Sequence, residues 1–71
     1  MKKKVSLKFG YYIQISEKEV ALYKNGKEIM VLAVLPLNNN TLQNFISSCV
    51  EEFNYYAVSE ESIEMYLSDI A

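Results

Sequence analysis

Seventy-one residues, half of them apolar, are enough for one compact domain and exclude a multidomain architecture. A single cysteine excludes an intramolecular disulfide, and the absence of histidine removes the commonest general base and metal ligand. The net charge of −2 conceals a division: residues 1–36 hold seven lysines and three glutamates (+4), whereas residues 37–71 hold six acidic groups and no basic one (−6). A chain polarised in this way is suited to docking its acidic half on a basic partner.

Every basic residue is lysine, and Asn, Ile, Lys and Tyr are abundant. That composition fits an AT-rich genome, such as that of a low-GC bacterium or its phage. Met1-Lys2-Lys3-Lys4 has the charge of a signal-peptide start, but the residues after it alternate in polarity instead of forming an apolar run. Lys2 to Lys4 therefore read as a solvated tail. The longest apolar run, Ile29 to Leu35, has 7 residues, against the roughly 20 that a membrane span needs. The chain reads as a soluble, cytoplasmic protein.

From Val5 to Ile15 every odd position is apolar: Val5, Leu7, Phe9, Tyr11, Ile13 and Ile15. Period two predicts a strand, and the unbroken phase predicts one long strand over residues 4–16, bent at Gly10. Ser16 to Glu19 reads as a turn into a second strand, 19–24. Asn25-Gly26 then lies between two apolar runs. A type I′ turn needs positive φ at both central residues, and this dipeptide tolerates that best, so a hairpin into a third strand, 27–35, follows.

Counting outward from the two turns pairs Tyr12 with Tyr23, Ile13 with Leu22, Ile15 with Val20, Leu22 with Ile29, and Val20 with Val31. One face then gathers Tyr11, Ile13, Ile15, Val20, Leu22, Ile29 and Val31. The other gathers Tyr12, Gln14, Ala21, Tyr23, Met30 and Leu32. Strand one is longer than strand two, so residues 4–9 and 32–35 are expected to overhang as unpaired edges.

Pro36 ends the sheet because it has no N–H to donate. Asn40 as N-cap with Gln43 three residues on predicts a helix over 41–54. Its apolar face is Leu42, Phe45, Ile46, Cys49, Val50 and Phe53, at helical spacing. Ser59, followed by Glu60 and Glu61, predicts a second helix over 60–69 with Ile63, Tyr66, Leu67 and Ile70 inward. The fold class expected is thus α+β: a three-stranded antiparallel meander with two short amphipathic helices on one face, forming a single domain over 1–71.

The chemistry of catalysis is sparse. Cys49 has no histidine partner and sits on an apolar helix face. Adjacent carboxylates, Glu51/Glu52 and Glu60/Glu61, diverge by about 100° on a helix and do not converge on one site. Neither glycine belongs to a phosphate-binding loop, and no Cys/His spacing suggests zinc. No catalytic residue, cofactor or metal is expected, and the chain reads as a non-enzyme. Nucleic acid is an unlikely direct ligand. Lys2, Lys3, Lys4 and Lys8 offer phosphate contacts and Tyr11, Tyr12 and Tyr23 offer stacking, but there is no arginine and the helices have no basic residue.

The remaining features suit a protein partner. Tyr55, Tyr56 and Tyr66 lie among the six acidic groups of residues 37–71, with Glu60, Glu61 and Glu64 foremost, and Tyr12 and Tyr23 stand opposite each other on the outer sheet face. These eight residues are the candidate partner-binding set. The segment Thr41-Leu-Gln-Asn-Phe-Ile through Val50-Glu-Glu-Phe, then Val58-Ser-Glu-Glu-Ser-Ile and Tyr66-Leu, resembles the last two helices of PqqD-like leader-peptide-binding domains. That resemblance implies capture of an extended peptide at a sheet edge. In type, a small chain with a Lys-rich start and an acidic, Tyr-studded end is similar to phage anti-defence proteins such as anti-CRISPRs. That likeness implies an inhibitor that docks on a basic nucleic-acid-processing protein. A homodimer burying Tyr12, Tyr23, Met30 and Leu32 is a third expectation.

Overall fold

The computed structural model describes residues 3–70. The chain is α+β: an antiparallel sheet of four strands in the order β1-β2-β3-β4, with two helices on one face. The strands are β1 (Lys3–Ser6), β2 (Tyr11–Ile15), β3 (Glu19–Lys24) and β4 (Lys27–Val34). The helices are α1 (Asn39–Tyr56) and α2 (Glu60–Ile70).

The expected single strand over 4–16 is two strands folded back on each other. A tight turn at Lys8–Gly10 reverses the chain, with Phe9 at φ 60° and Gly10 at φ 81°. The Leu7 amide closes it by donating to the Tyr11 carbonyl at 2.9 Å. The sequence hides this reversal because Lys3 faces Ile15 and Val5 faces Ile13, odd opposite odd. Directly opposed residues share a face, so the alternation stays in phase through the hairpin and imitates one continuous strand. Residues 4–9 consequently do not overhang. Lys3 and Lys4, expected in a solvated tail, pair in β1. Met1 and Lys2, the rest of that expected tail, lie outside the described residues.

Gly10 is fixed by two constraints. Its φ of +81° is in the left-handed region, and an added Cβ would meet Asn25 Oδ1 at 3.0 Å. The Asn25 amide also reaches the Gly10 carbonyl at 3.4 Å, tying the two hairpin turns together. Gly10→Ala is expected to cost about 1–2 kcal/mol and to lower the melting temperature by about 5–15 °C, read by circular dichroism. A melting temperature unchanged in the variant would mean that this turn relaxes freely.

The Asn25-Gly26 hairpin is present, with φ of 52° and 82° at its central residues. The β2–β3 register agrees with expectation: Tyr12 opposite Tyr23, Ile13 opposite Leu22, Ile15 opposite Val20. The β3–β4 register does not. Irregularities between Leu22 and Tyr23 and between Val20 and Ala21 let β4 run one residue ahead at each. Leu22 therefore faces Met30 instead of Ile29, and Val20 faces Ala33 instead of Val31. An extra residue in one strand turns the following side chains over. Met30 and Leu32 thereby join the helix side, and Ile29 and Val31 are left exposed on the sheet. Residues 32–34 do not overhang either, since Val34 pairs with Glu19.

Asn38, not Asn40, caps α1: its side chain accepts from the Thr41 amide at 2.8 Å. The helix is longer at both ends than expected, with Phe53 and Ile46 buried. Ser59 caps α2 as expected. The Ser62 amide donates to Ser59 Oγ at 3.1 Å, and the Ser59 amide donates to Ser62 Oγ at 2.9 Å. This is a reciprocal box with serine in the usual glutamate place. The core joins Tyr11, Ile13, Val20 and Leu22 of the sheet to Phe53, Ala57, Ile63 and Leu67 of the helices.

Candidate docking surface

The inward faces of α1 and α2 are committed to the sheet, so their charged faces turn away from it. α1 presents Ser48, Glu51, Glu52, Tyr55 and Tyr56 around one shallow hollow. α2 presents Glu61, Glu64, Met65, Ser68 and Asp69 around another. A furrow between the helices, bordered by Glu52, Tyr56, Met65, Tyr66 and Asp69, joins the two. The result is one continuous surface of carboxylates and tyrosines. Nothing in residues 37–71 offsets its charge, because that segment has no basic residue.

Within the furrow the aromatic rings are ordered by contact. Tyr56 and Tyr66 stack at 4.4 Å and 11°, and Tyr55 meets Tyr56 edge-on at 5.0 Å. The Tyr66 hydroxyl donates to Glu52 Oε1 at 2.8 Å, which links α2 to α1. Burial, and then this bond to Glu52, push the Tyr66 hydroxyl up to about 12. Burial also raises the Cys49 thiol, with Glu52 adding to it.

The Tyr66 shift has a consequence for alkaline stability. Its folded-state value lies above the ordinary 10.0, so the folded chain holds a proton that the unfolded chain releases. The stabilisation is fully present below pH 10 and is lost as pH rises towards 12. Tyrosinate absorbance is expected to show one group titrating late, and Tyr66→Phe is expected to remove that late step. A late step that survives in Tyr66→Phe would assign it to another tyrosine.

The sequence-selected residues divide into two groups. Tyr55, Tyr56, Glu61, Glu64 and Tyr66 share the helical surface. Glu60 stands at the start of α2 and pairs with Lys24 at 3.7 Å, so its charge is partly spent on tying α2 to β3. Tyr12 and Tyr23 lie on the sheet face away from the helices, stacked at 5.4 Å and 16°. Tyr11, weighed as a base-stacking residue, is buried edge-on against Phe53. Glu51, Glu52 and Asp69, counted in the acidic half but outside the partner-binding set, belong to the helical surface too, and so does Met65, which was missed. The spacing Glu61, Met65, Asp69 (i, i+4, i+8) marks them as one helix face and was the available signal.

A cavity of about 60 Å³ lies between sheet and helices, lined by Leu7, Leu32, Cys49, Phe53, Tyr66 and Leu67 among others. It is far below the roughly 300 Å³ of a small-molecule site. Among the described residues, no cluster of three or more His, Cys, Asp or Glu is arranged to hold a metal ion. No helix among the described residues is long and apolar enough to cross a membrane. No protein family, curated protein or solved structure matches this chain.

Proposed function

We propose that this chain is a non-catalytic protein-binding protein whose acidic, tyrosine-rich helical face docks on a basic surface of a nucleic-acid-processing protein. The role that fits is a cytoplasmic inhibitor of the anti-defence type, encoded by a phage or mobile element. The observation that carries this reading is the joining of Glu51, Glu52, Glu61, Glu64 and Asp69 with Tyr55, Tyr56 and Met65 into one surface without a basic residue. Carboxylates give long-range steering towards a cationic groove, and tyrosine and methionine give the apolar contact that holds a complex once formed. A groove that ordinarily receives a polyanion has both the charge and the exposed contact area to accept such a face.

The test is affinity capture from a low-GC bacterial lysate with nuclease added. A nucleic-acid enzyme is expected to be retained at about 0.05 M salt and released by about 0.5 M. Retention that is indifferent to salt would sink the electrostatic reading.

A second reading, capture of an extended segment along the sheet edge, is favoured by β4. This outermost strand runs from Ile29 to Val34 without a charge. Edge strands ordinarily carry charges or proline that discourage pairing. Under this reading, substitutions among the helix carboxylates leave binding intact and proline within residues 31–34 abolishes it.

A further inference from the structure

The sheet face opposite the helices carries a second, independent surface. Its side chains stand in two transverse rows. One row is Ser6, Tyr12, Tyr23 and Glu28, and the next is Lys4, Gln14, Ala21 and Val31. Lys4 holds its ammonium over the Tyr12 ring at 4.9 Å, which fixes it on this face. Val31 and, beyond the second row, Val34 are 45% and 73% exposed. The cation thus lies at the β1 edge and the carboxylate of Glu28 at the β4 edge, with Tyr12, Tyr23, Gln14 and Ala21 between them and Glu19 of β3 beyond the second row, opposite Val34.

We infer that this face binds a second copy of the chain, sheet on sheet, about a two-fold axis parallel to the strands. That axis lays β1 of each copy over β4 of the other. Each row then meets itself reversed. Tyr12 lies over Tyr23 of the second copy, and Gln14 lies over Ala21, which its own neighbours already cover. Lys4 comes over Val31, one row from Glu28 of the second copy. Rows in a sheet are about 7 Å apart and facing sheets about 10 Å, distances that a lysine and a glutamate span together. The alternative in-plane axis, perpendicular to the strands, lays β1 on β1 and brings Lys4 against Lys4. Charge therefore selects the first axis. The Tyr12–Tyr23 stacks lie at its centre, and the exposed apolar residues of β4, which the register irregularities turned outward, are covered along its two edges by β1 of the other copy.

The face is roughly 14 Å across its four strands, so the area covered falls below the ~800 Å² per partner of a standard interface. The association is accordingly weak, and the helical face of each copy remains open on the outside of the pair. This inference does not rest on the function proposed above.

Sedimentation velocity on the full chain, from roughly 10 µM to 1 mM, tests it. A concentration-dependent monomer–dimer equilibrium is expected. Val31→Lys, which sets a second cation against Lys4 of the other copy, is expected to weaken it at least tenfold while the circular dichroism spectrum stays unchanged. Lys4→Glu and Glu28→Lys are each expected to weaken it about 3–10-fold, and the two together to restore it. Residues 4 and 28 sit on opposite edge strands of one sheet, roughly 14 Å apart, so their mutual rescue requires two copies. Three results would overturn the inference: a monomer throughout the range, a dimer indifferent to Val31→Lys, or a double charge swap that compounds the two losses. A dimer broken by Glu64→Lys instead is built head to tail through the helices and equally overturns it.

Discussion

Phe53→Ala is expected to lower the melting temperature by about 15–30 °C, the largest stability effect available from a single side chain. Phe53 is 5% exposed, meets Tyr11 edge-on at 5.2 Å, and lies where α1, α2 and the sheet converge. Truncating a buried phenylalanine costs about 3–5 kcal/mol, combining lost transfer free energy with the cavity left behind. A domain of this size holds roughly 4–10 kcal/mol in total. At about 4–8 °C per kcal/mol, most of the margin is removed. The cavity already beside Phe53, about 60 Å³, would be enlarged and not refilled. Tyr55→Ala is the control. It removes an aromatic ring of similar size from a position 77% exposed, and a change within about 0.5 kcal/mol is expected. Equal losses from the two variants would mean that Phe53 is not a core residue.

The second large effect concerns docking. Glu64→Lys combined with Asp69→Lys is expected to weaken the captured complex about 100-fold at low salt, roughly 2.7 kcal/mol. Both residues border the same hollow on α2. They are better tests than Glu60 and Glu61. Those two sit in the first turn, where carboxylates steady the helix dipole, and Glu60 also holds Lys24. At position 64 a lysine follows Glu60 by four residues, and at 69 it places a cation near the helix C-terminus. Both placements favour the helix, so folding is preserved while the surface charge changes by four units. Titrating the purified complex with salt separates the outcomes. The native pair should weaken steeply as salt rises, and the variant should be weak and flat. An unaltered affinity would move the docking site away from α2.

Much of the fold was legible because its determinants are local. Asn25-Gly26 demanded positive φ at two consecutive residues and fixed the central hairpin. The four-residue link from Ser16 to Glu19 fixed the β2–β3 register, and with it the Tyr12–Tyr23 stack. Ser59 and the apolar spacing of Ile63 and Leu67 fixed α2. The acidic helical face was legible for the same reason. A helix with one apolar stripe must present the remainder to solvent, and every charge on that remainder is negative.

What the sequence by itself determined, then, was the fold class, the hairpin at Asn25-Gly26, and the polarity of the helical surface. Three other features were decided by tertiary structure. The reversal at Phe9-Gly10 left no mark on the alternation, because an antiparallel hairpin that pairs odd with odd preserves its phase. The irregularities between β3 and β4 followed from fitting a strand that is apolar on both faces. Either Ile29 and Val31 or Met30 and Leu32 satisfied the pattern, and packing against the helices selected the second pair. The acidic helical surface took its membership from the approach of α1 to α2, which brings Glu52 to Tyr66 and stacks Tyr56 on the same ring. Periodicity assigns a residue to a face. Which faces meet is set by close packing across the whole chain.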